Sequence, residues 1–404
     1  MPEASRLISP QEAHAAILRS VASLGTETVP LERLSGRILK QSIAQTRAQP
    51  PFDRVTMDGV AIASAEFAAG RRTFRIAGTQ AAGAAPQFLS DARECLEVMT
   101  GAVLPTGTDC VVPVERITVT DGVARIHDDV AVAPLLNVHT CGLDARAGDQ
   151  LLTSGRVLGA AEIAAIASTG LATVSVAKVP RIAVISTGDE LVEPGKPVED
   201  WQIYRSNAYA LAASLQERRY TDLVHDHVRD DLATLRTRLA VHLGNCDALI
   251  LSGGVSMGQF DFVPRVLNEL GVRTLFHQVA QRPGKPMWFG IGPAGQAVYA
   301  LPGNPVSTLV CLVRYVLAGL DVAAGRAFSP PQDVELAEDY EVKPALAFFT
   351  PAVLDRRHEN ARASLRPTRG SGDFISLLGT EGFVELPKGP HVATSGSIVP
   401  FYAW

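Results

Sequence analysis

The sequence predicts a multidomain protein of the α/β plus β kind, in which a mostly parallel sheet covered by helices stands beside β-rich regions. Three observations predict it. Between residues 180 and 320 short apolar runs alternate with amphipathic stretches, the texture of a three-layer α/β/α domain. From 27 to 145, and again from 332 to 404, the chain breaks into short runs bounded by Gly, Pro and Asp, which reads as β structure. A chain of 404 residues also exceeds what one hydrophobic core usually serves.

Taken in order, Ser9 and Pro10 open an amphipathic helix over 10–24 with Ala13, Ile17, Leu18 and Val21 on one face. The β-rich stretch follows, with candidate strands at 73–77, 94–98 and 110–114. Residues 159–170 read as a helix ended by Gly170. The alternation then begins: strand 181–186, helix 207–218, strand 222–228, and a helix over 231–243 with Leu232, Leu235 and Leu239 on one face. Strand 247–251, a helix carrying Phe262, Val266, Leu267 and Leu270, and strands near 273–280, 287–291 and 297–301 come next. Asn304 and Pro305 then cap an apolar helix to about Leu320, and 326–331 reads as a linker.

Composition excludes several classes. With 47% hydrophobic and 20% charged residues the chain is ordinary globular material. A net charge of −5 argues against broad nucleic-acid binding, which wants a basic face. The five cysteines show neither a Cys-x-x-Cys pair nor metal-ligand spacing, so no zinc site or disulfide framework is expected. No export signal or membrane anchor is read, and a reducing cytoplasm is the expected compartment.

The chemistry concentrates in three loops. Ser252-Gly253-Gly254-Val255-Ser256-Met257-Gly258-Gln259-Phe260-Asp261 follows the strand pattern 247–251. Glycines there let backbone N–H groups of Gly253, Gly254, Val255 and Ser256 approach a phosphate, with the Ser252 and Ser256 hydroxyls assisting. A plain tight turn, or serines that cap the next helix, is the competing reading. Asp261 beside a phosphate calls for Mg2+ or for a nearby Lys or Arg. Asp230, Asp231 and Asp261, with Asp58 and Glu190, are hard oxygen donors suited to that ion, although Asp231 also stands where a helix cap is expected. The second and third loops are Arg282-Pro283-Gly284-Lys285-Pro286 and Leu301-Pro302-Gly303-Asn304-Pro305-Val306-Ser307.

In that order the three loops resemble the molybdopterin molybdenumtransferase family, the bacterial MoeA proteins and the E domain of gephyrin. Further segments share the resemblance: 50–61 (PPFDRVTMDGVA), Met99-Thr100-Gly101-Ala102 with Pro105, Ser186-Thr187-Gly188-Asp189-Glu190-Leu191 and Ile203-Tyr204-Arg205-Ser206-Asn207. It runs from about residue 7 to the C-terminus. It implies four parts: a discontinuous helical N-terminal domain (1–26 and 147–178), an inserted β-rich domain (27–146), an α/β molybdopterin-binding domain (179–326) and a C-terminal β-barrel (327–404). It also implies an elongated homodimer whose cleft joins the α/β domain of one copy to the inserted domain of the other.

The implied substrates are adenylylated molybdopterin and molybdate, joined with release of AMP. Asp58, Thr100, Asp144 and Glu190 would carry the transfer. Arg282, Lys285 and Ser371, framed by Pro302 and Pro305, would hold the molybdate dianion through charge-assisted hydrogen bonds; a surface role is the alternative for Lys285. A molybdopterin adenylyltransferase and apo-molybdoenzymes are the implied protein partners. Two departures stand out. Where the family commonly has Asn-Val-Arg-Arg-x-Gly-x-Asp, this chain has Asn137-Val138-His139-Thr140-Cys141-Gly142-Leu143-Asp144, and a lysine common in bacterial members is Gln278. The missing cations leave open a non-catalytic carrier of the cofactor.

Overall fold

A computed structural model of the chain describes residues 7–255 and 262–404, so Ser256 and Asp261 lie outside the described residues. Contacts gather the chain into two compact units. One comprises residues 1–41, 154–159 and 173–404; the other comprises 42–153 and 160–172. The helices Pro10–Ser20 and Ala160–Ser168 thus fall in different units.

At the centre of the larger unit is a six-stranded sheet in the spatial order Leu223–Val228, Ile182–Thr187, Ala248–Ser252, Ala297–Leu301, Trp288–Ile291, Arg273–His277. The first four strands are mutually parallel; Trp288–Ile291 runs antiparallel to them, and Arg273–His277 pairs antiparallel with it in turn. The reversal has a simple cause. The turn between Trp288–Ile291 and Ala297–Leu301 is far shorter than the dozen or so residues that a parallel crossover requires. Strands 182–187, 248–252 and 297–301 are buried at every position, as expected where helices cover both faces. Alternate side chains divide between two cores: Ile182, Val184 and Ile250 pack with Leu211 and Leu215, whereas Ala183, Ile185 and Leu249 pack with Leu235 and Leu239. Each such large side chain contributes about 1.5–3 kcal/mol by leaving water.

Helix Pro10–Ser20 starts with a full capping box: the Ser9 hydroxyl accepts from the Glu12 N–H at 3.1 Å, and the Ser9 N–H donates to the Glu12 carboxylate at 2.8 Å. It stops short of residue 24, since Val21 is already extended. The apolar helix that begins at Pro305 runs further than expected, to Ala324, through a π-helical turn at Leu312–Val316. By length and hydropathy it could cross a membrane, yet 78% of its apolar window is buried in the protein, so it is a core helix. Its Arg314 is buried against Glu385 at 2.9 Å. Asn304 stands at its cap position, but the side chain makes no cap hydrogen bond there.

Strands Ala347–Asp355, Arg362–Leu365, Gln332–Leu336, Ile398–Ala403 and Gly382–Leu386 bond in that order, and the last returns to the first to close a barrel. A short strand from the α/β region, Gln281–Arg282, adds to its edge in parallel with Ala347 and Phe348.

The smaller unit holds a mixed six-stranded sheet over Val60, Ile62, Phe74, Cys95 and Val112. Beside it Arg54–Val55 pairs antiparallel with Val138–His139. The sequence-based reading of this region as β-rich agrees with these strands.

Candidate active site

Three parallel strands end side by side and release their loops at one edge of the large sheet. Ser186 is in register with Ser252, and Ser252 with Leu301, so Thr187-Gly188, Gly253-Gly254 and Pro302-Gly303 emerge as neighbours. This is where ligands bind in open parallel sheets. The loops border a cavity of about 780 Å³. Among its lining residues are Glu190, Asp230, Gly253, Val255, Pro302 and Pro305. Gly253 has φ +102 and Gly254 φ +66. A β-carbon on Gly253 would come within 2.6 Å of the Thr187 carbonyl oxygen, and one on Gly254 within 2.8 Å of Val263. Only glycine fits both positions.

Two side chains from the segments 186–191 and 203–207, to which the sequence assigned no individual role, complete this cradle. Asn207, near the start of helix Ser206–Glu217, donates through Nδ2 to the Ser252 hydroxyl at 2.9 Å and the Gly303 carbonyl at 2.7 Å. One amide therefore ties two of the loops together. Thr187 is buried, and its Oγ1 has no hydrogen-bond partner among the described residues. Such a hydroxyl costs about 1–3 kcal/mol unless something accepts from it. An oxyanion in the cradle would. The signal for Asn207 was a weak helix former placed just inside a helix start.

Ser252 does not cap the next helix; its oxygen is taken by Asn207. The acids separate equally clearly. Asp230 faces the cavity, whereas Asp231 is the N-cap of helix Leu232–Asn245, accepting from the Thr234 N–H at 2.7 Å. Bonds from Thr234 hold the Asp231 carboxyl below its usual range. Its Oδ2 thus serves the helix cap, the alternative that the sequence offered beside a metal-ligand role. No group of three or more His, Cys, Asp or Glu side chains with metal-binding geometry occurs among the described residues. Glu190 and Asp230 are the acids that line the cavity among them, a donor set that fits Mg2+, which keeps most of its waters and takes one or two carboxylates.

A second cavity, of about 580 Å³, shares Pro286, Pro302 and Asn304 with the first. Arg282, Lys285, Arg369 and Ser371 line it. Arg282 and Lys285 are exposed and make no ion pair among the described residues. Ser371 accepts from Asn304 Nδ2 at 2.8 Å, and its carbonyl accepts from the Val306 N–H at 3.0 Å. Thr350, 1% exposed, presents another hydroxyl without a partner among the described residues. Unpaired cations and free hydroxyls suit a small oxyanion.

In the smaller unit Asp58 and Thr100 meet. Asp58 Oδ1 accepts from both the Thr100 N–H and its hydroxyl, each at 2.7 Å. The backbone bond first, then the hydroxyl, holds the Asp58 carboxyl below its ordinary range. Asp144 Oδ1 lies 2.9 Å from His139 Nε2. All five cysteines are free, and Cys141 alone is exposed.

Comparison with known proteins bears on the whole length. Residues 8–170 match the model described as "MoeA N-terminal region (domain I and II)", 183–321 the "Probable molybdopterin binding domain" and 333–404 the "MoeA C-terminal region (domain IV)". A molybdopterin molybdenumtransferase of Synechocystis sp. is 40% identical over 95% of this chain and 96% of its own. One from Nostoc sp. is 31% identical over 93% and 88% respectively. The crystal structure of the molybdopterin biosynthesis MoeA protein from Pyrococcus horikosii superimposes with a TM-score of 0.81 at 29% identity, covering 98% of this chain and 99% of that one. The matches span nearly the whole length, and the chain belongs to the molybdopterin molybdenumtransferase (MoeA) family.

Proposed function

We propose that this protein inserts molybdenum from molybdate into adenylylated molybdopterin, releasing AMP, as a step of molybdenum cofactor biosynthesis. The observation that carries this reading is the pair of adjoining cavities with Pro302 and Asn304 in common. One offers backbone donors and the Thr187 hydroxyl to a phosphate; the other offers Arg282 and Lys285 to a tetrahedral dianion. A substrate bound across both has its phosphoanhydride beside the molybdate.

The residues divide the work as follows. Gly253, Gly254 and Val255, with Ser252 and the undescribed Ser256, hold the phosphate as hydrogen-bond donors are positioned for developing charge. Arg282, Lys285 and Ser371 orient molybdate, and Pro302 and Pro305 stiffen the loop between. Glu190 and Asp230, with the undescribed Asp261, would hold Mg2+, whose chemistry is to neutralise the phosphoanhydride oxygens. Asp58, set by Thr100, and Asp144 serve the transfer as carboxylates. We place the enzyme in the cytoplasm, as a homodimer that works between a molybdopterin adenylyltransferase and apo-molybdoenzymes. The family models break near residues 170–183 and 321–333, which is compatible with boundaries near 179 and 327; the inserted β-rich domain within 8–170 is part of the same proposal.

Incubating the protein with adenylylated molybdopterin should yield AMP only when molybdate is present, and a chelator should stop it. AMP release insensitive to chelation would remove the metal from the reading, and no AMP under any condition would return the chain to a carrier role. Asp231→Ala, by contrast, should lower stability through the lost cap and leave AMP release unchanged. Denaturant unfolding and turnover measured on one sample check both halves.

A further inference from the structure

Arg54 and His139 are direct cross-strand partners in the pairing of Arg54–Val55 with Val138–His139. Arg54 Nη2 lies 3.2 Å from His139 Nδ1, and His139 Nε2 lies 2.9 Å from Asp144 Oδ1. A guanidinium only donates. Nδ1 is therefore the acceptor, and the ring proton is on Nε2, donated to Asp144. Cation, neutral imidazole and carboxylate stand in line.

The spacer matters more than the link. The ring keeps the cation and the carboxylate from pairing directly, so Arg54 donates to a neutral acceptor rather than to a charge that would cancel its own. With the ring between them, Arg54 spends one of its five N–H groups, and His139 is its sole partner among the described residues. The same short strand is flanked on its other side by the segment that bears Thr100: Val55 N–H donates to the Ala102 carbonyl and Gly101 N–H to the Val55 carbonyl, each at 2.9 Å. Asp53, one residue before Arg54, is occupied by the Cys141 N–H at 2.8 Å. Arg54 is thus a half-buried cation with free donors, on a strand four residues before Asp58 and paired with the strand that precedes Asp144.

We propose that Arg54 is the cationic anchor of this unit for the anionic, phosphate-bearing end of the substrate, with His139 its positioning residue. It supplies from the neighbouring strand the charge that residues 139–141 lack. This rests on the molybdopterin reading above.

A charge-relocation series on the full-length protein tests it, with direct titration of adenylylated molybdopterin at low and high ionic strength and with steady-state AMP release. Arg54→Ser should raise the dissociation constant and KM by about tenfold, as for one lost charge-assisted hydrogen bond, and flatten their salt dependence. Turnover at saturation should hold, because the contact is made equally in ground and transition states. His139→Arg alone should give no gain, since two guanidiniums would then face each other across the strand pair. The double variant Arg54→Ser with His139→Arg should recover most of the lost affinity, a rescue that a purely structural role cannot give. Wild-type affinity and salt dependence in Arg54→Ser, or no recovery in the double variant, would overturn the anchor alone. Failure of the wild-type protein to bind the substrate would overturn the functional reading, and the anchor with it.

Discussion

Asp58→Asn should lower AMP release by about 100-fold or more while the protein keeps its melting temperature, in the range by which positioned carboxylates contribute to proton transfer or charge stabilisation. The geometry makes this substitution unusually clean. Both bonds from Thr100 end on one oxygen, Oδ1. An asparagine carbonyl can accept the same two, so the turn survives and only the charge and the second oxygen change. The pH dependence follows in sign. Because Thr100 favours the ionised form, the folded carboxyl titrates below its ordinary range. Its charge, and whatever stability that charge adds, is present above the unfolded value and lost as pH falls through the lowered folded one. AMP release should therefore show no Asp58 limb near neutrality. Normal turnover in Asp58→Asn would make the residue a turn-former and nothing more.

The second large effect is expected at the oxyanion cavity. Arg282→Ala and Lys285→Ala should each reduce molybdate-dependent turnover by about 10- to 100-fold, corresponding to roughly 1.5–3 kcal/mol for a hydrogen bond to a charged group. The double variant should be worse than either, and raised molybdate should partly restore the single ones. Stability should hardly move, because both side chains are exposed and neither makes an ion pair among the described residues. A marked fall in melting temperature with unaltered molybdate dependence would make them structural instead.

Much of this frame could be read in the chain before any coordinates. Strands such as 182–187 and 248–252 open with unbroken apolar runs because both their faces are covered, and glycines follow them where backbone is free to approach a ligand. What could not be read is what depends on register and reach. Arg54 meets His139 across 85 positions of sequence, and cross-strand neighbours are invisible until pairing is known. Asp230 and Asp231 differ only by one step along the chain. A helix begins after the second, which turns it back onto Thr234 and leaves the first facing the cavity. Nor does composition reveal that a single amide, Asn207, spans two loops.

The two-residue strand Gln281–Arg282 answers to two masters. Its backbone is registered against Ala347 and Phe348 of the barrel, while the Gln281 side chain is held by Tyr315 of the π-helical turn and by the Pro283 carbonyl. The barrel is consequently a jig for the cations Arg282 and Lys285 proposed to hold molybdate, and cannot be regarded as a detachable appendage. Exchanging it for that of a relative would transplant a calibration along with a fold, and mismatched hybrids would misplace Arg282 and Lys285 while their phosphate cradle remained intact. On the proposed function, drift in the barrel edge would then surface as altered oxyanion selectivity.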